Sequence, residues 1–476
     1  MQVQLDQGAE FDLRDQIVGY DQQVPLLDGR MVRYVNLDNA ASTPSLRQVM
    51  EAVERFMPYY SSVHRGTGFK SRLSTEAYDQ AHEIIARFVG ADRETNAVIF
   101  GKNTTEAINK LSYRLPMDDD AVIISTQLEH HSNDLPWRRR AKVIHVLATP
   151  DGRLDEDDFD RQLQRYAGQI GLVTVTGASN VSGFIQPIHR LARKSHEAGA
   201  PILVDAAQLA PHRQVEMQAD DDPEHLDFVA LSGHKMYAPF GTGALIGPKE
   251  VFLQTGPEYP GGGTVEIVTL DEVNWAGMPD RDEAGSPNVV GAVAMAVAAQ
   301  TLMEIGMDRI AAHEEALIAY TLDRLGSISG VRIYGQDDPA KASEKVGAIP
   351  FNLEGVSHFL LAAILGYEGG IGVRSGCFCA HPYVVHLLDL DEVTASTWRQ
   401  QMLAGDKSNM PGMVRASFGC YNGKDDVDRL VEMVERVARS EYKGNYRVER
   451  ESGEYVPEGY VDPLDRHFLM IPRGPE

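Results

Sequence analysis

The chain of 476 residues has only three cysteines. That excludes a disulfide framework at this size and makes a reducing, cytoplasmic setting the default expectation. Positive charge is also short: Lys and Arg number 45 against 69 acids, for a formal net charge of -24. So acidic a surface repels phosphate backbones and anionic lipid, so no nucleic-acid and no membrane partner is expected. The basic cluster Arg138–Arg140 is too short to reverse this. No run approaches the roughly 18 apolar residues of a membrane helix. The nearest, VVGAVAMAVAA at Val289–Ala299, is rich in small residues and reads as a tightly packed internal helix. The opening MQVQLDQGAEFDLRDQ has neither the basic start nor the apolar centre of a secretory signal. There is no solenoid-period repeat and no low-complexity tract.

What is present is 43% hydrophobic content, enough for a sizeable core and two or three domains. Acidic runs such as Met117–Ala121 and Asp155–Asp160 read as solvated loops and helix starts. Short apolar, β-branched runs alternate with helical patterns: Ala97–Phe100, Ala121–Ser125, Ile170–Thr176, Pro201–Ala207 and Asp227–Gly233. This alternation predicts a mostly parallel sheet covered by helices on both faces. From about Thr301 the pattern changes to a long helix, strands near VRIYG, AIPFNL and MVRASFG, and a last helix KDDVDRLVEMVERVARS. The expected division is an N-terminal segment 1-30 packing on the smaller domain, a large domain 31-300, a small α+β domain 301-442 and an extension 443-476. The extension reads as a strap rich in Gly, Pro and charge.

In parallel α/β sheets, ligands sit beyond the carboxyl ends of the strands. After the first strand come Asn103, Thr104, Thr105 and Glu106 opening a helix. Asn103 with Glu106 resembles a capping box, and free N–H groups with two hydroxyls suit a phosphate; a plain helix cap is the simpler reading. After the second come Glu129, His130 and His131, and after the third Asn180 in a turn. After the fourth comes Asp205, an acid at the end of a buried strand, costly unless a cation or several donors meet it. Its alternative is a structural salt bridge. Gln208 follows three residues on. After the fifth, Ser232, His234 and Lys235 precede a Gly-rich loop, where a lysine can have a lowered pKa and react as an amine. Each signal is weak alone. Together they place a carboxylate, a lysine, an aromatic base and phosphate donors on one rim, the set that pyridoxal phosphate uses.

The short stretch RSGCFCAHPY, Arg374–Tyr383, holds two of the three cysteines, Cys377 and Cys379, with His381 close behind. A metal reading would take Cys377, Cys379, His381 and His386 as ligands. One residue between the cysteines is tight, and this reading leaves Lys235 and Asp205 without a task, so no metal is expected.

The ordered motifs LDNAAST (Leu37–Thr43), VHRGTG (Val63–Gly68), NTTEAIN, EHHSNDLPW, SNVSG, VDAAQ, LSGHKMYAPFGTG, EAGSPN (Glu283–Asn288), VRSGCFCAHP and VRASFGCYN carry a resemblance. From about Leu37 to Arg439 the sequence resembles the class V aminotransferase family, cysteine desulfurase and selenocysteine lyase type. The resemblance implies a fold type I architecture: a large domain with a mostly parallel seven-stranded sheet and a smaller α+β C-terminal domain. It implies a homodimer with shared active sites and pyridoxal 5'-phosphate as cofactor. Lys235 would hold the cofactor and shuttle protons, His130 would stack on its ring, and Asp205 would pair with the ring nitrogen. Gln208 and Asn180 would meet the phenolic oxygen side, and Thr105, Ser232 and His234 would hold the phosphate, with Thr104 nearby. Arg415 would clamp the substrate carboxylate, with His64, Arg65, Asn39 and Ala40 on the substrate side. Gly261–Thr264 would approach the partner's site. Cys379 would take sulfur, or selenium, from a cysteine-like amino acid as a persulfide, releasing alanine, and pass it to an acceptor protein.

The chain departs from the familiar pattern at Cys377, where those desulfurases have histidine. A Cys-x-Cys loop is also similar to molybdenum cofactor sulfurase domains. Cys377 is therefore open between sulfur receiver, disulfide guard of Cys379 and passive small residue. About 20 inserted residues, by alignment of the motifs, follow Cys379 around DLDEVTASTWRQQMLAGDKSNMPG and could form a lid or docking surface. The same scaffold hosts aminotransferases and other C–S lyases, so persulfide-free chemistry is the alternative function. Cys420 reads as a buried core thiol.

Overall fold

Seven runs pair into one sheet: β1 (Asn96–Gly101), β2 (Val122–Thr126), β3 (Lys142–Val146), β4 (Ile170–Thr176), β5 (Ile202–Asp205), β6 (Phe228–Ser232) and β7 (Gly243–Pro248). The strand order is β1-β7-β6-β5-β4-β2-β3. β7 runs antiparallel to both neighbours and the other pairs are parallel. The mostly parallel seven-stranded sheet expected from the sequence is therefore present. The structure is a computed structural model and describes residues 11–468 and 470. The reading of the first residues as no secretory signal, the start of the segment 1-30 and the end of the extension 443-476 fall partly outside the described residues.

Side chains alternate across a strand, and both faces of this sheet are covered. Val98, Phe100, Ile124, Val173, Val204, Val229 and Leu231 join one core. Ala97, Ile99, Ile123, Leu172, Leu203, Phe228 and Ala230 join another on the opposite face. The strands accordingly read as continuous apolar runs. Each large apolar side chain so buried stabilises the fold by about 1.5–3 kcal/mol. The helix Val289–Ile305 buries eleven of its residues, with Asn288 capping its start through Gly291 N. Its small residues let it lie close to the helix Phe69–Phe88. Among the described residues no single helix is long and apolar enough to cross a membrane. Val289–Ile305 and Met307–Gly326 pass that test only as a pair, bent by 77°.

A second sheet has β8 (Val331–Ile333), β9 (Ala348–Leu353), β10 (Arg374–Gly376) and β11 (Met413–Ser417) in the order β8-β9-β11-β10, all antiparallel. Helices Met307–Gly326, His358–Gly369 and Lys424–Ala438 close its own apolar core. The N-terminal segment divides its contacts. Leu13 and Ile17 pack in the core of the large sheet, whereas the hairpin Gln23–Pro25 with Met31–Arg33 lies against Gly370.

The inserted stretch folds as the helix Glu392–Leu403, capped by the Asp391 side chain on Thr394 N, and it buries none of its residues. The extension forms a hairpin, Tyr446–Val448 with Tyr455–Pro457. It is tied down where Glu368 accepts from Lys443 N, Gly444 N and Tyr446 Oη. The two segments touch: Lys407 N donates to Arg450 O at 2.8 Å.

Candidate active site

The carboxyl ends of β1, β2, β4, β5 and β6 surround one cavity of about 420 Å³, and the β10 edge of the second sheet closes it. Chain reversal at these strand ends frees side chains from sheet packing, which is why polar residues collect there.

The helix Thr104–Arg114 points its amino end at the cavity. Asn103 caps it through Glu106 N at 3.0 Å. The expected capping box is changed in one detail: the Glu106 carboxylate accepts from Lys102 N, not from Asn103 N. Gly243 on β7 is needed here, because a Cβ would lie 2.6 Å from the Asn103 backbone. Two hydroxyls at this end, Thr104 Oγ1 and Ser232 Oγ, are buried without a hydrogen-bond partner among the described residues. Thr105 Oγ1 shares a 2.7 Å hydrogen bond with Ser132 Oγ. The half-buried ring of His234 lines the same side, and burial holds its pKa below the usual value.

Asp205 and Lys235 form the floor. Asp205 is buried, and desolvation raises its pKa against the opposing pull of a bond from Ala207 N at 3.0 Å and of the Lys235 charge. The Lys235 amine is 3.5 Å from Gln208 Oε1. Burial brings its pKa down to about 8, while Asp205 pulls it up and Arg415 pushes it further down. A lysine so placed is part neutral near neutral pH and can act as a nucleophile.

His130 stands on the wall. Its Nδ1 accepts from Ser132 N at 3.1 Å, so a neutral ring carries its proton on Nε2. Burial first, then Lys235, His131 and Arg415, bring its pKa down to about 3, so the ring stays neutral. Beneath it Glu129 accepts from Thr126 Oγ1, Asn133 Nδ2 and Thr176 N at 2.6, 2.7 and 2.9 Å. Burial raises the Glu129 pKa to about 8 despite those three donors.

Arg415 reaches the cavity from β11. Its guanidinium donates to Asn180 O at 2.7 Å and Asp38 Oδ1 at 3.0 Å and lies 4.9 Å from the Phe378 ring centre. Its Nε is buried without a partner among the described residues, and desolvation lowers its pKa to about 10. Asn180 Nδ2 donates to Phe378 O at 2.7 Å, so the turn after β4 holds the cysteine loop.

That loop departs from ordinary backbone. Phe378 and Cys379 have φ of 51° and 56°, the left-handed region that costs a non-glycine residue about 1 kcal/mol or more. The turn leaves Cys379 exposed at the cavity mouth while Cys377 is buried. His131 N donates to Cys379 O at 2.8 Å, and the His131 and His381 rings stack at 4.9 Å. The Cys377 thiol donates to Pro411 O at 3.2 Å, at the end of the inserted segment, and burial pushes its pKa up to about 12. The four residues of the metal reading are not gathered: Cys377 points to Pro411, and His386 Nε2 lies 2.8 Å from Thr149 O.

Of the expected site residues, twelve reach the cavity wall or its floor, but Asn39, His64 and Arg65 do not line it. The Asn39 amide is spent in a buried network with Ser417 O, Asn422 Oδ1 and Tyr421 Oη. His64 lies 4.0 Å from Asp280, and Arg65 donates to Val265 O. Sequence reasoning passed over Asp38, which binds Arg415 and lies 3.6 Å from Arg374, and Ser132, which joins Thr105 to His130. Both sit inside motifs already singled out. Their partners lie far away in sequence, so spacing gave no signal.

The residues present fit pyridoxal phosphate. Two orphaned hydroxyls meet the amino end of a helix, an acid and an amine share a floor, and the Arg415 guanidinium lines the same cavity.

The model of the family described as aminotransferase class-V matches residues 35–430. A cysteine desulfurase of Haloferax volcanii is 34% identical over 438 residues, which cover 90% of this chain and 95% of that relative. A probable cysteine desulfurase of Halalkalibacterium halodurans is 35% identical over 420 residues, 86% of this chain and 94% of that relative. Among solved structures, the apo cysteine desulfurase of Thermococcus onnurineus NA1 superposes with a TM-score of 0.75 at 31% identity, covering 86% of this chain and 95% of that one. The cysteine desulfurase CsdA of Escherichia coli, in an S-sulfonic acid form, gives 0.71 at 29% identity, covering 86% and 96%.

Proposed function

The chain belongs to the aminotransferase class-V family, and from that premise we propose that it is a pyridoxal-phosphate-dependent cysteine desulfurase. The observation that carries the reading is the exposed Cys379 at the mouth of a cavity whose floor is Lys235 and Asp205. When bound, pyridoxal phosphate supplies an electrophilic carbon for amines and a ring that accepts electrons.

Thr104, Thr105, Ser232, His234 and the helix amino end hold the phosphate. Asp205 would meet the ring nitrogen, and Gln208 and Asn180 would meet the phenolic oxygen side. His130, its Nδ1 tied to Ser132, would stack on the ring. Lys235 would hold the cofactor, and its amine would hold and move a proton. Arg415 takes the substrate carboxylate in place of Asp38, in a charge-assisted pair. The Cys379 sulfur then bonds to the substrate sulfur as the carbon–sulfur bond breaks. The carbon fragment keeps that electron pair and leaves, protonated, as alanine, and Cys379 holds the persulfide for an acceptor. Cys377, buried and donating to Pro411, acts as a latch for the loop.

The active form is a homodimer. The hairpin Val265–Val268 with Val273–Trp275 stands out from the fold with Ile267, Val268 and Leu270 exposed. It lies next to Arg65, which a single chain leaves outside the cavity. Three free cysteines suit a reducing, cytoplasmic setting.

The test supplies cysteine to purified protein without reductant and quantifies alanine and sulfur-bearing peptides. One persulfide on the Cys379 peptide per site is expected, with Cys379→Ser losing it while the cofactor's visible absorption is kept. Full alanine release with added thiol absent, or a persulfide mapped elsewhere, in that variant defeats the proposal.

A further inference from the structure

The amino-terminal edge of the large sheet, opposite the cavity, brings together His196, His225 and Asp227. His196 lies in the last turn of the helix Ile188–Glu197, Asp227 directly precedes β6, and His225 lies in the same β5–β6 connection as Asp227. One ligand atom from each lies within 4.8 Å of the others.

The proton positions in this cluster call for positive charge beside Asp227. His196 Nδ1 is 2.9 Å from Pro223 O, and His225 Nδ1 is 2.6 Å from Asp222 O. A carbonyl only accepts, so each Nδ1 carries a hydrogen. A neutral imidazole then has a bare Nε2. Yet His196 Nε2 faces Asp227 Oδ2 at 2.9 Å, and His225 Nε2 faces Asp227 Oδ1 at 3.4 Å. Lone pair against carboxylate is repulsive, so a proton or a metal ion lies between His196 and Asp227. Two protons would give two imidazolium rings, which stack with centres 4.3 Å apart and planes at 22°. A single carboxylate would then face two like charges in contact. One divalent ion replaces both protons and removes that repulsion.

We infer that His196, His225 and Asp227 form a site for one divalent transition-metal ion of the zinc class. Two imidazole nitrogens and a carboxylate oxygen suit zinc and not magnesium. Tetrahedral bonds of about 2.0–2.1 Å place ligand atoms about 3.4 Å apart; His225 to Asp227 already has that spacing, and His196 to Asp227, at 2.9 Å, opens by about half an ångström to admit the ion. The outer contacts have the expected form: backbone carbonyls fix both Nδ1 atoms, and Ile202 N donates to Asp227 Oδ2 at 2.8 Å. Glu224 is engaged with Arg193 and does not compete for the histidines. The three side chains are 17–21% exposed, which leaves water access to a fourth position. The ion clips the end of a helix to the starts of β5 and β6, the strands that end in Asp205 and Ser232.

The test uses full-length protein loaded with its cofactor, treated with chelator and desalted. Zinc or magnesium is added, and bound metal per chain and the melting temperature are measured. Expected are one retained zinc, no retained magnesium, and a zinc-dependent rise in melting temperature of about 2–4 °C. His225→Gln weakens zinc binding by at least about tenfold and removes the rise, while Cys379→Ser keeps both. Zinc lost with Cys379→Ser, zinc unchanged by His225→Gln, or no zinc retained by the wild type overturns the site. If His225→Gln does not fold, the site stands only if wild-type zinc is retained with the thermal shift and survives Cys379→Ser; failing that, it is overturned.

Discussion

Lys235 and Cys379 line one cavity, but the surroundings that hold them are opposites. Lys235 follows a strand whose residues are all buried, and Asp205, Gln208 and Arg415 surround it. Its chemistry comes from burial, which moves the amine toward neutrality. Cys379 sits in two consecutive left-handed residues at the surface, held by backbone contacts to His131 and by Asn180 through Phe378. The floor is fixed by the sheet. The loop is fixed by a few hydrogen bonds, one of which ends on the inserted segment. A cofactor needs an unmoving seat, whereas a thiol that receives and surrenders sulfur needs access to both substrate and acceptor.

The sharpest break in this contrast is Lys235→Ala. It should lower alanine formation by about 10³-fold or more and shift the visible absorption of the bound cofactor, with no change in the Cys379 peptide's alkylation by iodoacetamide. Slowed alkylation would mean that floor and loop are one unit. Next is Arg415→Gln, which should raise KM for cysteine by about 10- to 100-fold, seen in steady-state assays, while cofactor absorption stays put.

A pH series addresses the floor alone. The folded amine has a pKa of about 8 against the ordinary 10.5, and only the neutral amine attacks an aldehyde. Rebinding of pyridoxal phosphate to apoprotein should therefore speed up as pH rises through about 8 and level off above it. In stability the sign follows from the same shift: between about 8 and 10.5 the unfolded lysine binds a proton that the folded one has lost, so apoprotein gains stability across that window.

The smallest effect belongs to Cys377→Ala. Losing one hydrogen bond to Pro411 should cost about 1 kcal/mol in urea unfolding, with the persulfide yield on Cys379 unchanged. A lost yield would mean that the buried thiol takes part in sulfur transfer, and the contrast between the two cysteines would then be one of sequence in time, not of role.

Much of the site was legible in the sequence because strand ends can be read from apolar runs. Asp205 after ILV, Ser232 and Lys235 after FVAL, and Thr104 at a helix start all fell out of local pattern. Asp38 did not. Its partner Arg415 is 377 residues away, and a local reading has no access to such a pair. Asn39 was misread for a related reason: a polar residue in a short motif looks available, yet tertiary packing commits its amide to Ser417, Asn422 and Tyr421. The inserted stretch read as a lid or docking surface, and the structure gives an exposed helix whose base meets the extension.

Sequence alone determined the covered parallel sheet and the chemical types at its rim, since continuous apolar runs and strand-end polarity are properties of neighbouring residues. Only tertiary structure decided which thiol faces the cavity and which is buried, although a single residue separates the two. It also decided that a histidine from a helix meets a histidine and an aspartate from the loop before β6 at the sheet's other end. Burial and hydrogen bonding set those outcomes, and both depend on atoms brought from distant parts of the chain.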